Sequence, residues 1–185
     1  MFKDLSELSR FYLLLHPRIA VLIITKCPNG RSNIMPVSWI TPLSEEPPTL
    51  GIAIDRESYT FECLEYCNEF TVNIPPHDKA DLVYTLGTIS GRGIDKVKEF
   101  NIKLVRAKNI KADIWCDALG VIECRVANKV DVGEVRFYIG EVVSAYARPE
   151  YVTQGGWNFT RTNVLLHGWG RTFYLVGRKV IAKKK

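Results

Sequence analysis

Short runs of β-branched and aromatic residues, separated by turn residues, dominate the apolar pattern of the chain. Such runs predict β-strands, because branched and aromatic side chains fit a pleated, half-buried surface. In chain order the predicted strands are Arg18–Lys26, Asn33–Thr41, Thr49–Asp55, Glu69–Ile74, Ala118–Val130 and Val135–Ala147, with a late short strand beyond Pro149. Pro28-Asn29-Gly30 and Asp131–Glu134 have turn chemistry and predict two hairpins, whereas Ser44–Pro48 is predicted to be a polar loop.

Helical spacing is confined to a few short segments. An amphipathic helix is predicted at the N-terminus from Leu5, Leu8, Phe11, Tyr12 and Leu15, which recur every three or four residues. Further helices are predicted after Ser58, over Asp78–Leu86 and weakly over Ile94–Phe100, while Gly87–Gly93 is predicted to be a loop whose backbone approaches a ligand. Many short strands with few helices predict a mainly β fold, an antiparallel barrel that is closed or nearly so.

The 185 residues and the 46% hydrophobic content fit a single domain that covers residues 1–185. No apolar run reaches the roughly 18 residues that a membrane helix needs, so we expect no membrane partner. Asp4 and Glu7 precede the first apolar cluster, which is unlike a secretory signal. We therefore expect a cytoplasmic protein.

The five cysteines form no CxxC pair, and we expect them to be reduced thiols with no disulfide, no metal site and no assigned role. Cys63 and Cys67, four residues apart on a predicted helix, are interpreted as core-packing residues. The net charge is +5, and the densest basic stretch, Lys96–Lys111, is interrupted by acidic residues, as is typical of a solvated face. Nucleic acid is therefore not an expected partner.

Conventional catalytic motifs are absent from the sequence: there is no Walker A motif, no GxSxG, no HExxH and no GxGxxG after a strand. With three histidines, a histidine-rich metal site is excluded. Arg56, Ser58 and Thr60 follow one predicted strand and precede a predicted helix, and these groups suit a monophosphate. A helix cap beside an exposed arginine explains the same spacing, so both interpretations stay open on the spacing alone.

The segment Asn33–Ser44, NIMPVSWITPLS, is followed by Glu46-Pro47-Pro48-Thr49-Leu50-Gly51-Ile52-Ala53-Ile54 and resembles the flavin reductase-like family of FMN-binding split barrels. Further similar segments are the HPR sequence with Ile19–Thr25, the Arg56–Thr60 turn, Glu69–Asn73, Gly140-Glu141-Val142 and Leu165–Gly177. The resemblance implies a mainly antiparallel Greek-key split barrel with a few flanking short helices. It also implies a homodimer that binds one FMN per subunit in a groove near the dimer interface.

The resemblance also implies roles for individual residues. The residues that match the border of the flavin ring are Asn33, Val37, Ser38, Trp39 and Thr41, and those that match the phosphate-holding turn are Arg56, Ser58, Tyr59 and Thr60. Asn73 and the Ser90-Gly91-Arg92 loop match positions at the flavin edge. Two alternatives stay open, because Trp39 can fill the barrel and Asn73 can bond a neighbouring turn.

One position departs from the family pattern. Many reductases of the family carry a histidine five residues before the Gly-Glu-Val strand, where this chain has Val135. Hydride transfer between nicotinamide and flavin depends on stacking and orientation more than on an acid or base, so reductase chemistry remains possible. His167, in the C-terminal segment that matches the family, is the candidate catalytic residue.

The resemblance implies an oxidoreductase that takes hydride from NAD(P)H onto FMN and passes electrons to free flavin, ferric complexes or a partner protein. An alternative is a flavoredoxin-like electron carrier that is reduced by a partner protein instead of NAD(P)H, and Val135 favours it. A third hypothesis is a nucleic-acid-binding barrel that uses the basic stretch Lys96–Lys111.

Overall fold

A computed structural model describes residues 7–184 of the protein. The strands within this range are β1 (Arg18–Ile19), β2 (Val21–Lys26), β3 (Ser32–Val37), β4 (Ile40–Glu45), β5 (Pro48–Asp55), β6 (Glu69–Ile74), β7 (Leu104–Arg106), β8 (Asp113–Trp115), β9 (Gly120–Val132), β10 (Val135–Ala147), β11 (Val152–Thr153), β12 (Gly156–Trp157), β13 (Leu166–His167) and β14 (Phe173–Tyr174). The α-helices are α1 (Tyr59–Cys67), α2 (Ala80–Thr88) and α3 (Lys96–Glu99), and short 3₁₀ helices cover Leu8–Leu15, His77–Lys79 and Pro149–Tyr151.

Seven of the strands form one antiparallel sheet in the order β3-β2-β6-β9-β10-β5-β4. Its two edge strands, β3 and β4, are consecutive in the chain, and only Ser38 and Trp39 separate them. Because so short a connection joins the two edges, the sheet must curl until they lie near each other. The result is a split barrel, and the predicted mainly β, antiparallel Greek-key architecture is confirmed.

The predicted strand Asn33–Thr41 is wrong in one respect that matters for the site. The chain leaves β3 after Val37 and enters β4 at Ile40, so the first part pairs with β2 and the second with β5. The predicted loop Ser44–Pro48 is also shorter than expected, because β4 and β5 extend to Glu45 and from Pro48. Apolar pattern alone did not reveal the break, because both halves are apolar.

Strand β2 is buried on both of its faces, which explains its uninterrupted apolar sequence. Val21 and Ile23 belong to the core inside the barrel, together with Ile52, Phe70 and Tyr138. Leu22 and Ile24 face a second core that includes side chains of α2 and β8. The second core holds α2 against the outside of the barrel, beside β3.

The N-terminal segment differs from the amphipathic helix that the spacing predicted. Leu5 lies outside the described residues, and Leu8–Leu15 forms a 3₁₀ helix that contains no buried residue. Leu8 and Leu14 remain 86% and 74% exposed, so this helix presents apolar side chains to solvent. Among the described residues, no helix is long and apolar enough to cross a membrane.

The expectation of five reduced cysteines is wrong for one pair. Cys27, just after β2, and Cys63, within α1, are joined by a disulfide 36 residues apart in the chain. Both residues are fully buried, whereas Cys67, Cys116 and Cys124 are free thiols. Spacing could not reveal this pair, because the packing of α1 on β2 brings the two residues together. The disulfide fixes the start of the β2–β3 turn to α1.

Candidate functional site

Two adjoining cavities follow β3 where α2 and the loop after it approach the strand. The helix-end cavity, of about 320 Å³, is lined by Asn33, Met35, Asp55, Glu57–Thr60, Leu86–Arg92 and Lys96. The Ser38 cavity, of about 210 Å³, is lined by Ala20, Pro36–Ser38, Val83, Tyr84, Gly87, Thr88, His167, Gly170 and Phe173. Both include Gly87 and Thr88, so the two cavities form one continuous groove along β3.

The first turn of α1 forms one wall of the helix-end cavity. Ser58 caps the helix, because its hydroxyl accepts a hydrogen bond from the backbone N–H of Phe61 at 3.2 Å. Tyr59 and Thr60 are the first two helical residues and line the cavity, and N–H groups in a first turn have no acceptor within the helix. This end of the groove therefore carries the partial positive charge of a helix N-terminus.

Side-chain hydrogen bonds fix the position of that turn relative to β3. Asn33 Nδ2 donates to Thr60 Oγ1 at 2.8 Å, and the Thr60 hydroxyl donates to Met35 Sδ at 3.2 Å. At the other side, Asn29 Nδ2 donates to the Tyr59 hydroxyl at 3.0 Å. The helix N-terminus is thus held at a defined distance from the strand along which the groove runs.

Two cationic side chains line the helix-end cavity, and they differ in environment. The guanidinium of Arg92 is exposed, donates to the Glu57 carbonyl at 3.0 Å and pairs with the carboxylate of Glu62. Lys96 is only 5% exposed, and its Nζ donates to the carbonyls of Ile34 at 3.1 Å and Leu86 at 2.6 Å. Arg92 therefore has a carboxylate counter-charge, whereas Lys96 is held by neutral groups.

Burial lowers the pKa of Lys96 from its ordinary value of 10.5 to about 8. No carboxylate of residues 7–184 lies within ion-pair distance of its ammonium group. The interpretation of the basic stretch as a solvated face is therefore wrong for this lysine. Charge patterning could not separate Lys96 from its exposed neighbours, because α3 is a single short turn whose buried side is set by packing on β3.

Gly91 closes the helix-end cavity, and the site requires glycine there. A Cβ atom at this position would lie 2.1 Å from Asn33 Oδ1 and 3.0 Å from the ring of Tyr59. Both neighbours belong to the bonded framework that holds the helix N-terminus. The loop after α2 can pack this closely only because residue 91 has no side chain.

The Ser38 cavity is mainly apolar, and a hydrogen-bonded serine and histidine lie in its wall. Ser38 Oγ lies 3.4 Å from His167 Nδ1, and His167 Nε2 lies 3.2 Å from the carbonyl oxygen of Gly170. Because a carbonyl can only accept, Nε2 is the ring nitrogen that donates to Gly170, and in that tautomer Nδ1 accepts from the serine hydroxyl. The lone pairs of Ser38 Oγ are then free to face a ligand.

A second histidine, His16, packs against His167 outside the lining of the Ser38 cavity. The rings of His16 and His167 are 5.6 Å apart, and Arg18 donates to His16 Nε2 at 2.9 Å. Burial, followed by the nearby Arg18 and His167, lowers the pKa of His16. His16 is therefore neutral at pH 7, and its Nε2 is available to accept from the guanidinium.

The structure brings nine of the predicted site residues to this groove. Those at the helix-end cavity are Asn33, Ser58, Tyr59, Thr60, Ser90 and Arg92, and those at the Ser38 cavity are Val37, Ser38 and His167. The residues that sequence reasoning missed are Lys96 and the wall formed by Tyr84 and Phe173. That these residues bind flavin stays a prediction.

Four other predicted residues line neither cavity. Because β3 ends at Val37 and β4 begins at Ile40, Trp39 and Thr41 lie at the opposite edge of the sheet. There the ring of Trp39 packs under the guanidinium of Arg18. Arg56 lies 3.8 Å from the Asp131 carboxylate, beside the β9–β10 turn. Asn73 is fully buried.

The amide of Asn73 is fully engaged within the core. Its Nδ2 donates to the Leu22 carbonyl at 3.3 Å and to Thr71 Oγ1 at 2.8 Å, while Oδ1 accepts from the N–H of Trp115 at 2.8 Å. These partners lie on β2, β6 and β8, so the amide is used between strands, and the alternative of a bond to a neighbouring turn is wrong.

Comparison with known proteins gives this groove a context. Residues 14–166 match the family described as the flavin reductase-like domain. The chain belongs to this family of flavin-binding proteins. An uncharacterized protein of Archaeoglobus fulgidus is 30% identical over 138 residues, which cover 75% of this chain and 77% of that protein. The flavin reductase (NADH) of Kitasatospora aureofaciens is 26% identical over 134 residues, 72% of this chain and 68% of that protein.

Solved structures share the same fold over almost the whole chain. The flavoredoxin of Methanosarcina acetivorans superposes with a TM-score of 0.85 at 22% identity, covering 98% of this chain and 94% of that one. An FMN-binding protein from Thermus thermophilus superposes with a TM-score of 0.84 at 22% identity, covering 99% of both chains. At this level of identity the likeness concerns the fold.

Proposed function

We propose that the protein binds FMN along β3 and catalyses the reduction of this flavin by NAD(P)H. The observation that carries the proposal is the division of the groove into two chemically different ends. The helix-end cavity combines a helix N-terminus, hydroxyl groups and two cationic side chains, which suits a phosphate. The Ser38 cavity combines apolar walls with a few polar groups, which suits an aromatic ring system.

The residues of the groove fit FMN in their donor chemistry. Lys96 is a buried cation held only by two carbonyls, and an anion in the adjoining cavity would supply the missing counter-charge. The absence of a side chain at Gly91 lets the loop after α2 pack against Asn33 and Tyr59, which keeps the helix N-terminus in place. Val37 and Pro36 line the Ser38 cavity and offer apolar contacts for the ring.

FMN, when bound, supplies a centre that accepts hydride and passes electrons on singly or in pairs. The protein's own contribution is to bind and orient. The backbone N–H groups of Tyr59 and Thr60, in the first turn of α1, and the ammonium of Lys96 hold the phosphate, which fixes the position of the ring along β3. Pro36, Tyr84 and Phe173 exclude water from the Ser38 cavity. The Ser38 hydroxyl donates its proton to His167, so its oxygen can accept a hydrogen bond from the ring. No covalent bond to the protein is required.

The electron acceptor is proposed to be free flavin, a ferric complex or a partner protein. Support for a partner comes from one relative, the reductase component of a 4-nitrophenol 4-monooxygenase/4-nitrocatechol 2-monooxygenase in Rhodococcus opacus, 26% identical over 132 residues.

A second candidate function is an FMN electron carrier that a protein donor reduces. Val135 supports it, because this chain has valine where the pattern of the reductases has histidine; the residue pairs with Val132 and Asp55 at the β9–β10 turn.

We also propose a homodimer. The exposed apolar side chains of Leu8, Phe11, Leu14 and Leu15 on the N-terminal 3₁₀ helix support it, because neighbouring exposed apolar side chains are typical of an interaction surface.

The deciding experiment is an anaerobic visible absorption spectrum of the FMN-loaded protein before and after addition of NADH and then NADPH. Prompt bleaching by either nucleotide is the expected result and identifies a reductase. Bound flavin that stays oxidised with both nucleotides would support the carrier. Failure to bind FMN would remove the cofactor assignment.

A further inference from the structure

A third cavity lies on the other side of the C-terminal hairpin. The Trp169 cavity, of about 320 Å³, is lined by Leu13, His16, Pro17, Gly168, Trp169, Thr172 and Tyr174. Trp169 and Tyr174 are 53% and 52% exposed and border the cavity, while the ring of Tyr12 lies 6.1 Å from the ring of Trp169 between centroids. Exposed aromatic faces around a cavity suit a flat, stacking ligand, because every nucleobase presents a π-face to such side chains.

The hairpin β13–β14 is the common wall of the Trp169 cavity and the Ser38 cavity. His167, Gly170 and Phe173 line the Ser38 cavity, whereas Gly168, Trp169, Thr172 and Tyr174 line the Trp169 cavity. This wall is thin. His16 lines the Trp169 cavity and His167 lines the Ser38 cavity, and the centroids of their rings are 5.6 Å apart. A ligand that crosses the hairpin turn at residues 168–172 can therefore occupy both cavities.

Positive charge lies at this crossing and at the rim of the Trp169 cavity. Arg171 is in the hairpin turn, with its guanidinium 5.5 Å from the ring centroid of Tyr84. Arg10 lies 5.3 Å from the ring centroid of Trp169. Within residues 7–184, neither arginine forms an ion pair with a carboxylate. Both stay available for phosphate groups.

We propose that the Trp169 cavity binds the adenine end of NAD(P)H, with the diphosphate at Arg171 in the hairpin turn and the nicotinamide at the mouth of the Ser38 cavity, stacked on the open face of the flavin ring. This inference rests on the proposed function and adds the site of the second substrate. Each part of the dinucleotide meets matching chemistry in order along the hairpin: an aromatic cavity, a cationic turn, then the groove that holds the ring. Arg10, at the far rim, is where a 2′-phosphate would increase affinity.

The test uses two probes that divide the dinucleotide. ADP-ribose contains the adenine and diphosphate without the nicotinamide, and its binding to the FMN-loaded protein is measured by calorimetry. Reduced nicotinamide mononucleotide contains the reacting ring without the adenine, and its anaerobic reduction of bound FMN is followed by absorbance. The variant is Trp169→Ala, and the control is Phe159→Ala, since Phe159 is 44% exposed and lines neither the groove nor the Trp169 cavity.

ADP-ribose should bind the wild type and Phe159→Ala equally, and bind Trp169→Ala at least about fivefold more weakly, because stacking of one base on an aromatic side chain contributes a measurable part of affinity. The rate with reduced nicotinamide mononucleotide should be unchanged in Trp169→Ala, and Arg171→Gln should weaken ADP-ribose binding as well. FMN affinity should be equal in all variants, which verifies folding.

Equal ADP-ribose affinity in wild type and Trp169→Ala would overturn the inference, as would no binding at millimolar ADP-ribose. A second equivalent of FMN that binds the wild type but not Trp169→Ala would also overturn it, since the cavity would then accept free flavin. If neither NADH, NADPH nor reduced nicotinamide mononucleotide reduces bound FMN, the proposed function fails. Trp169-dependent ADP-ribose binding would still support the adenine site in that case.

Discussion

Replacement of Lys96 by methionine tests the phosphate end of the groove. The variant keeps a long apolar side chain in the buried volume and removes the ammonium that donates to Ile34 and Leu86. A hydrogen bond that involves a charged group contributes about 1.5–3 kcal/mol, so loss of one such bond to phosphate should weaken FMN binding by about 10- to 150-fold. Titration of FMN fluorescence or absorbance with protein measures this change.

The stability of the free protein should change much less than its affinity. A pKa lowered from 10.5 to about 8 corresponds to about 3 kcal/mol of destabilisation at pH 7, which the methionine variant avoids. Against this gain, the carbonyls of Ile34 and Leu86 lose their donor, at about 1–3 kcal/mol for each buried group. These contributions oppose each other, so urea denaturation should distinguish lost affinity from lost folding.

The pH dependence follows from the direction of the pKa shift. In the free protein Lys96 loses its proton near pH 8, whereas a bound phosphate stabilises the ammonium and raises its pKa. FMN binding therefore takes up a proton above pH 8, and affinity should fall with rising pH between 8 and 9.5. In Lys96→Met this fall should be absent, and buffers of different ionisation enthalpy should report no proton uptake in calorimetry.

Lys98→Met is the matched control, because Lys98 lies on the same helix α3 and is exposed. It should bind FMN like the wild type at every pH. If Lys96→Met binds FMN as tightly as Lys98→Met, or if the wild-type affinity is flat between pH 7 and 9.5, then Lys96 does not contact the phosphate and the orientation of FMN in the groove is wrong.

Further predictions concern the loop, the histidine and the exposed helix. Gly91→Ala should weaken FMN binding more than tenfold, because its Cβ would lie 2.1 Å from Asn33 Oδ1, whereas Gly93→Ala, with nothing within 4 Å, should be neutral in the same titration. His167→Ala should lower the anaerobic rate of flavin reduction while FMN affinity changes less than threefold, and unchanged turnover would remove His167 as a catalytic candidate. Leu14→Glu should convert a dimer into a monomer in sedimentation velocity, since Leu14 is 74% exposed on an apolar surface, and an unchanged dimer would place the interface elsewhere.

The parts of the fold that sequence predicted well are those with a local pattern. The β9–β10 hairpin follows from two long apolar runs around Gly133, and α1 begins where Ser58 offers a cap. The apolar run of β2 predicted a strand. Its burial on both faces could not be predicted, because the second face is covered by distant residues of the second core. In the site, the Ser58–Thr60 turn was predictable because the capping residue and the first helical turn are contiguous in the chain.

The remainder of the site depends on contacts between distant residues. Ser38 meets His167 across 129 positions and Lys96 meets Ile34 across 62, and no local pattern encodes such pairs. The break between β3 and β4 is similar, because its cause is the curl of the whole sheet. It separates Trp39 from the groove, although Ser38 immediately before it lines the cavity.

Because of these long-range contacts, we expect amino-acid substitutions to affect the two ends of the groove differently. At the helix end, the wall is one helical turn that a hydrogen bond to Asn33 fixes against β3, so on our proposal the phosphate depends on one local element. At the Ser38 end, the wall comes from α2 and the C-terminal hairpin, which contribute Tyr84, His167 and Phe173 to the cavity. Substitutions in this hairpin can therefore alter which substrate approaches the ring without loosening the phosphate. If FMN binds as we propose, changes confined to this hairpin would let one barrel take electrons from a nucleotide or from a protein donor while the phosphate stays in place.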